Sequence, residues 1–202
     1  MATGSDKQTF VPSRWADAVA AGNKFGMNPV AILAQAAIES DWGTSYSAEN
    51  RNNFFGMTVG SAKSNEFWDG AKSQSSASGL WFRIYGTPKN SFLDFASLIS
   101  RKYPDSCAKS QDIPAYAQSI AYSRYISTDN GDVPENYRLG IITAAEYIQS
   151  QNLPKIALTN GTMGKVIALF SSVFMLVALY QLGIYYYPQY SFSSLWNKLK
   201  RP

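Results

Sequence analysis

Apolar residues recur at helical spacing over most of the first 150 positions of the chain. One such pattern follows Pro12, with Ser13 as the predicted N-cap and Gly26 as the predicted end. In the next pattern Asn28 is the predicted N-cap, and Pro29 takes the first helical position, where no backbone donor is needed. Three later patterns predict helices over roughly 89–103, 113–121 and 134–150.

Between about 52 and 86 the pattern changes to Gly, Ser, Asn and aromatic residues. The segment "GLWFRIYGTP" is enriched in strand-forming residues, and "SAKSNEFWDGAKSQSSASG" indicates turns and a short hairpin. Helical patterns on both sides of one small β region predict an α+β fold, a mainly helical body with a small β lobe.

A long uncharged run follows these patterns, since no residue from Val166 to Asn197 carries a charge. It supplies the roughly 20 apolar residues that a membrane-spanning helix needs, with tyrosines at its end and a basic tail beyond. A buried core helix is the alternative, although a core helix of this length rarely lacks a polar face. The predicted segments are a flexible N-terminus (1–11), a globular domain (12–152), a linker (153–164), a transmembrane helix (165–188) and a short basic tail (189–202).

The amino-acid composition limits the kinds of catalytic site and binding partner that the chain can have. The chain contains 46% hydrophobic residues, enough for a real core, and has a net charge of +4. This net charge is compatible with binding to an anionic polymer or to a membrane surface. The Lys and Arg residues are scattered along the chain, which does not favour binding to nucleic acid. There is no histidine, which excludes Ser-His-Asp triads, Cys-His pairs and His-ligated zinc. No metal or cofactor is predicted, and a hydrolase with this composition must rely on carboxylates.

Glu39 is the strongest candidate for such a carboxylate. It ends the helical pattern in "AQAAIESDWGTS", where Ala31, Ala34, Gln35 and Ile38 predict a small, largely apolar neighbourhood. Desolvation and the negative end of the helix dipole both raise the pKa of a carboxylic acid, and a protonated glutamate can donate to a glycosidic oxygen. The alternative is an ordinary solvated glutamate at a helix end.

The motifs "LAQAAIESDWG", "NNFFGM", "FWDG", "FRIYGTPKNSFLDFASLI" and "YSRYIST" extend this picture. With them the chain resembles the glucosaminidase-type peptidoglycan hydrolases of glycoside hydrolase family 73, which include autolysins and the muramidase domain of flagellar rod-cap proteins. The resemblance covers about 12–150, in the order of the family's motifs. It implies a lysozyme-like fold that binds peptidoglycan and cleaves its β-1,4 bonds between N-acetylglucosamine and N-acetylmuramic acid.

The resemblance also implies roles for particular residues. Glu39 matches the family's general acid. Tyr125 is the best match to a tyrosine of the substrate cleft, although its spacing to the following aspartate is one residue longer than in the family. The "NN.FG" turn, which lines the floor of the cleft in such folds, corresponds here to Asn53, Phe55 and Gly56.

A second catalytic carboxylate is less evident. Many family members carry a glutamate in the β lobe, where this chain reads "AKSQSSASGLW". The nearest candidates are Glu66 and Asp69, for which solvated turn residues are the alternative. Two further hypotheses follow: a lytic transglycosylase that needs one acid, or a catalytically weak peptidoglycan-binding module that serves as a structural anchor.

Aromatic and basic residues are candidates for binding sugar rings. Arg83 and Tyr85 alternate on the predicted strand with Trp81 on the same side, so one strand face is predicted to contact substrate. Trp42 and Trp68 are further candidate platforms. Packing in the core is the alternative for all of them.

The N-terminal and C-terminal segments of the sequence suggest where in the cell or particle such an enzyme is located. The N-terminus lacks the basic start and apolar centre of a secretory signal. A C-terminal span with the catalytic domain outside the cytoplasm then suggests a component of a virion that contains a membrane, or of an envelope-spanning secretion or conjugation apparatus.

Overall fold

The computed structural model describes residues 2–127, 131 and 133–154. The chain divides into two units, Met1–Leu158 and Thr159–Pro202, and every described residue belongs to the first. The predicted transmembrane helix and basic tail lie outside the described residues, as does nearly all of the predicted linker. Within the described ranges no helix has the length and apolar character needed to cross a membrane.

Helix α1 spans Gly4–Phe25, so the chain is helical over most of the segment predicted to be flexible (1–11). Thr3 and Asp6 form a capping box, in which each side chain accepts the backbone N–H of the other residue. Pro12 lies inside the helix instead of preceding it. The cap and the burial of apolar side chains in the first two turns outweigh the one hydrogen bond that a proline removes.

Helix α2 spans Pro29–Glu39 and begins as predicted. The Asn28 side chain accepts the N–H of Val30 at 2.9 Å, and the preceding helix ends at Gly26 in the left-handed conformation with φ 72°. Eight of the eleven residues of α2 are buried, and the helix packs against α1. It therefore forms the centre of the helical body.

Of the remaining helices, α7 and α4 contact α2. The three predicted later helices are confirmed within one residue at each end, and two short helices were not predicted. Helix α7 packs on α2 and α6, and α4 packs on α1. The bounds are α3 Tyr46–Arg51, α4 Pro88–Lys102, α5 Pro104–Lys109, α6 Ile113–Ala121 and α7 Pro134–Ser150.

The β lobe is an antiparallel hairpin of β1 (Lys72–Gln74) and β2 (Trp81–Arg83), with Ser73 paired to Phe82. Its position between α3 and α4 confirms the predicted α+β architecture of a mainly helical body with a small β lobe. The loop before the hairpin is fixed to α4 by aromatic packing, since the Phe55 ring stacks on Phe95 with centroids 3.9 Å apart.

Candidate active site

Glu39 is the last residue of α2, at the negative end of the helix dipole. The chain then turns through Asp41, Trp42 and Gly43, all in the left-handed region with φ of 48°, 56° and 84°. A Cβ on Gly43 would lie 2.9 Å from a ring carbon of Phe10, so this position requires glycine. The turn ends the helix immediately after the carboxylate.

Two cavities meet at Glu39. One has a volume of about 830 Å³ and lies between the C-terminal ends of α2 and α4, the segment 125–127 and the start of α7. The other, of about 550 Å³, lies between α3 and the β-hairpin. Glu39 and Gly56 line both cavities. A linear polymer that extends from one cavity into the other must therefore pass the carboxylate.

A directed chain of hydrogen bonds reaches Glu39. The Tyr116 hydroxyl donates to the Gln35 carbonyl oxygen, and the Gln35 amide nitrogen donates to the Tyr137 hydroxyl oxygen at 2.8 Å. Because an amide nitrogen only donates, the single proton of Tyr137 is directed to Oε1 of Glu39, 2.5 Å away. Oε1 is thus an acceptor, and in the protonated acid the proton is carried by Oε2.

Tyr125 also faces Glu39, with its hydroxyl 3.5 Å from Oε1. Its ring is held by edge contacts with Tyr103 and Phe95, at centroid distances of 5.7 and 6.3 Å. Burial, followed by the nearby Glu39 charge, raises the pKa of Tyr125 well above its ordinary value. Tyr125 therefore remains a protonated donor at neutral pH.

The predicted partner carboxylates lie elsewhere. Glu66 is paired with Lys24 of α1 at 2.5 Å, and Asp69 accepts the N–H of Ala71 at 2.9 Å within its own turn. Neither lines a cavity that Glu39 lines, and Glu39 is the one carboxylate among the described residues that line the two cavities. In the same part of the chain no group of three or more His, Cys, Asp or Glu residues is placed to hold a metal ion.

Three residues predicted to bind sugar are buried in the β lobe instead. The Asp94 carboxylate accepts from Arg83 at 2.6 Å and from the Tyr85 hydroxyl at 2.7 Å, and the Arg83 guanidinium lies 4.6 Å from the centre of the Trp68 ring. Strand β2 ends at Arg83, and Tyr85 lies two residues beyond it, so the predicted alternation along one strand is not observed. Trp81, which was predicted on the same side, is 45% exposed. The side chains of Arg83, Tyr85 and Trp68 are buried, which agrees with the alternative of packing in the core, and their contact with substrate stays a prediction.

Trp42 lies outside the cavities that Glu39 lines. Its ring makes edge contacts with Phe10 and Tyr147, at 5.9 and 5.2 Å, and Lys7 lies 5.0 Å from its centre. It lines a separate cavity of about 340 Å³ beside α1. Its packing fixes α1 and α7 next to the turn that follows Glu39.

The "NN.FG" turn lies beside the larger of the two cavities at Glu39. The Asn53 side chain donates to the carbonyl oxygens of Met57 and Arg83 and accepts the Met57 N–H, at 2.9 to 3.0 Å. These bonds fix the turn, and Phe55 and Gly56 line the larger cavity. Asn53 itself is buried, and its hydrogen bonds determine the shape of the turn that lines the cavity.

The sequence did not indicate the three residues of the hydrogen-bond chain that reaches Glu39 through Tyr137. Gln35 was grouped with the small apolar neighbours, and neither Tyr116 nor Tyr137 was a candidate. One local signal was available: Gln35 is a polar residue in an apolar run, one helical turn before Glu39. The structure shows that this side chain is fully buried, where a polar group needs hydrogen-bond partners.

Comparison with known sequences identifies one family. The glucosaminidase profile, described as mannosyl-glycoprotein endo-beta-N-acetylglucosaminidase, matches residues 15–152. This range includes Glu39, Tyr125 and Tyr137. No curated protein matches the chain.

Several solved structures share the fold. The glycoside hydrolase domain of Salmonella typhimurium FlgJ is 20% identical, with a TM-score of 0.55 over 84% of this chain and 97% of that one. A peptidoglycan hydrolase from Sphingomonas sp. A1 is 22% identical, with a TM-score of 0.55 over 75% and 99%. The catalytic domain of the Listeria monocytogenes autolysin Auto is 23% identical, with a TM-score of 0.52 over 75% and 90%. At these identities the likeness shows the fold, which agrees with the lysozyme-like prediction.

Proposed function

The chain belongs to the glucosaminidase family of glycoside hydrolases, and from this we propose that it cleaves the β-1,4 bonds between N-acetylglucosamine and N-acetylmuramic acid in peptidoglycan. It would thereby degrade the bacterial cell wall locally. One observation carries the proposal: the carboxyl group of Glu39 lies where two cavities meet. A glycan strand bound in both cavities has an internal glycosidic bond next to that group. The solved structures named as an autolysin and as a peptidoglycan hydrolase support this choice of substrate.

In this proposal Glu39 is the general acid. Its Oε2 gives a proton to the glycosidic oxygen while the bond to the anomeric carbon breaks. The Tyr137 hydroxyl bond to Oε1 holds the carboxyl group in place and stabilises the carboxylate left after proton transfer. Tyr125 is placed to stabilise the positively charged sugar ring or to position the attacking water.

The second half of the reaction has two candidate forms. In hydrolysis a water molecule adds to the anomeric carbon, and its proton returns to Glu39. In transglycosylation the 6-hydroxyl of the same sugar adds instead and forms a 1,6-anhydro ring, again returning its proton to Glu39. The second form is favoured by one observation, that no other carboxylate among the described residues lines either cavity. Hydrolysis remains the leading proposal because the chain belongs to a family of hydrolases.

A Glu39→Gln variant tests the acid. We expect it to lose about 10²–10⁴-fold in the rate of muropeptide release while still binding isolated sacculi, because glutamine keeps the shape but cannot donate the proton. Glu66→Gln and Asp69→Asn are the matched controls and should remain active, since these residues lie outside both cavities. Full activity of Glu39→Gln would refute the assignment.

Mass spectrometry of the products separates the two reaction forms. Reducing sugar ends indicate hydrolysis, and 1,6-anhydro ends indicate transglycosylation. A wild-type protein that binds sacculi but releases no fragments would instead support the remaining alternative, a peptidoglycan-binding structural module.

We further propose that residues 165–188 anchor the enzyme in a membrane, with the catalytic domain on the extracytoplasmic side or within a virion that contains a membrane. The uncharged run from Val166 to Asn197 supports this proposal. A component of a virion or of an envelope-spanning assembly would need an enzyme of this kind to open the wall locally.

A further inference from the structure

Arg51 is a buried cation in the smaller of the two cavities at Glu39. It is the last residue of α3, its exposed fraction is 6%, and it lines the same cavity of about 550 Å³ as Glu39. No sequence motif indicated a role for it.

The guanidinium group of Arg51 is held rigidly. It lies close to two aromatic rings, 4.8 Å from the centre of Tyr46 and 5.2 Å from the centre of Phe82. Its Nε donates to the Ser73 hydroxyl at 2.7 Å, and its Nη1 donates to the Ser47 hydroxyl at 3.0 Å. The two ring contacts and the two serine hydrogen bonds together restrict the movement of the group.

The charge of Arg51 has no carboxylate partner among the described residues, because each ion pair found there involves other cations. Arg83, the other buried arginine, shows the usual arrangement and is paired with Asp94 at 2.6 Å. A buried cation is costly unless an anion compensates it. The two serine bonds also use only two of the five N–H donors of a guanidinium.

We propose that Arg51 binds a carboxylate of the substrate, an inference that rests on the proposed cleavage of peptidoglycan. A planar guanidinium fork matches a carboxylate in a bidentate manner. Peptidoglycan offers two sources of this group: the lactyl carboxylate of muramic acid and the carboxylates of the stem peptide. Arg51 thus selects a carboxylate-bearing glycan over an uncharged one in the cavity on the β-lobe side of Glu39.

The test uses the full-length protein and three forms of peptidoglycan strand. The first form carries stem peptides, the second has them removed and exposes the lactyl carboxylates, and the third is the second with those carboxylates converted to methylamides. Both the dissociation constant and kcat/KM are measured. The variants are Arg51→Gln, Arg51→Lys and Lys72→Gln, the last being a matched control because Lys72 is an exposed hairpin cation outside the cavity.

We expect Arg51→Gln to weaken binding and kcat/KM about 10- to 100-fold on at least one carboxylate-bearing form. The form that loses efficiency identifies the lactyl or the stem carboxylate as the ligand. Arg51→Gln should match the wild type on the methylamide form, which also shows that the variant is folded. Arg51→Lys should restore part of the loss, because it keeps the charge without the fork, and Lys72→Gln should have little effect.

Two results would overturn the inference: a wild type that does not distinguish charged from methylamide strands, or an Arg51→Gln variant that is equally weakened on all three. If the wild type cleaves none of the strands, the proposed function fails. The dissociation constants then still decide whether Arg51 recognises a carboxylate.

Discussion

At the residue scale, the orientation of one buried amide determines the hydrogen bonding of Glu39, the proposed acid. Gln35 is fully buried, and its carbonyl oxygen and amide nitrogen have different partners, Tyr116 and Tyr137. Reversing the amide would remove the donor that forces the Tyr137 proton towards Glu39. Gln35 is therefore a positioning residue for Glu39, and Tyr116 acts through it.

Tyr116→Phe tests this arrangement, because it removes the hydroxyl that holds the Gln35 carbonyl oxygen. We expect kcat to fall about tenfold with little change in KM, and the pH profile of kcat to move, because Glu39 then receives the Tyr137 proton for only part of the time. Tyr122→Phe is the matched control, since Tyr122 is 57% exposed at the end of α6, and it should behave as the wild type. A Tyr116→Phe enzyme with the wild-type kcat and pH profile would contradict the role of Gln35.

Alkaline pH should destabilise the fold through its buried tyrosines. Burial is the main cause that raises the pKa above the ordinary value in Tyr85, Tyr116, Tyr125 and Tyr137. The unfolded chain releases these protons near pH 10 and the folded chain retains them, so the stabilisation is complete below about pH 10 and is lost as the pH rises. The urea midpoint should therefore fall between about pH 9 and pH 11. Tyrosinate absorbance should show at least these four tyrosines ionising only on unfolding.

The sequence located Glu39 but not the residues that orient it, and the reason is distance along the chain. Gln35 and Glu39 are one turn apart, and a helical pattern reveals such a pair. Tyr116 and Tyr137 are 81 and 102 positions from Gln35, and they reach it only because α7 packs on α2 and α6 packs on α7. No local pattern carries that information.

At the scale of elements, the β lobe depends on one buried carboxylate of α4. Asp94 accepts hydrogen bonds from Arg83, Tyr85 and the Asn65 side chain, so it joins the hairpin and the preceding turn to the helical body. Asp94 is 1% exposed. Its removal would leave the Arg83 charge buried without a partner.

Asp94→Ala should therefore lower the free energy of unfolding by about 3–5 kcal/mol. The matched control is Asp69→Ala, which removes an exposed carboxylate from the same lobe and should cost about 1 kcal/mol or less. Urea unfolding of the purified protein measures both. Equal midpoints for the two variants would show that Asp94 does not brace the lobe.

The ends of a helix were predictable from the sequence where a capping residue determines them. They were not predictable where tertiary packing determines them. Asn28, Pro29 and Gly26 fixed the junction of α1 and α2 from the sequence alone. Pro12 suggested a helix start, but α1 passes through it because Phe10 and its neighbours are buried against the rest of the body. Helix α3 has six residues, too few to produce a recognisable helical period.

At the scale of the whole molecule, substitutions in the uncharged C-terminal segment test whether the enzyme is anchored in a membrane. The proposed span lies at 165–188, and a charged side chain near the middle of such a helix costs about 2.5–3.5 kcal/mol in insertion. The variant Leu176→Arg plus Leu179→Arg should therefore shift the protein from the membrane fraction to the supernatant. Leu139→Arg is the matched control, because Leu139 is a leucine of α7 with 46% exposure, and it should not change the fraction.

The readout is flotation with lipid vesicles after alkaline washing, combined with the cleavage assay on short glycan fragments. We expect the wild type and Leu139→Arg to float, and the doubly substituted variant to remain in solution with its cleavage activity unchanged. Unchanged activity shows that the catalytic unit is intact and that only attachment was lost. A wild type that stays in the supernatant would remove the anchor from the proposal, and the enzyme would then reach the wall without a tether in this segment.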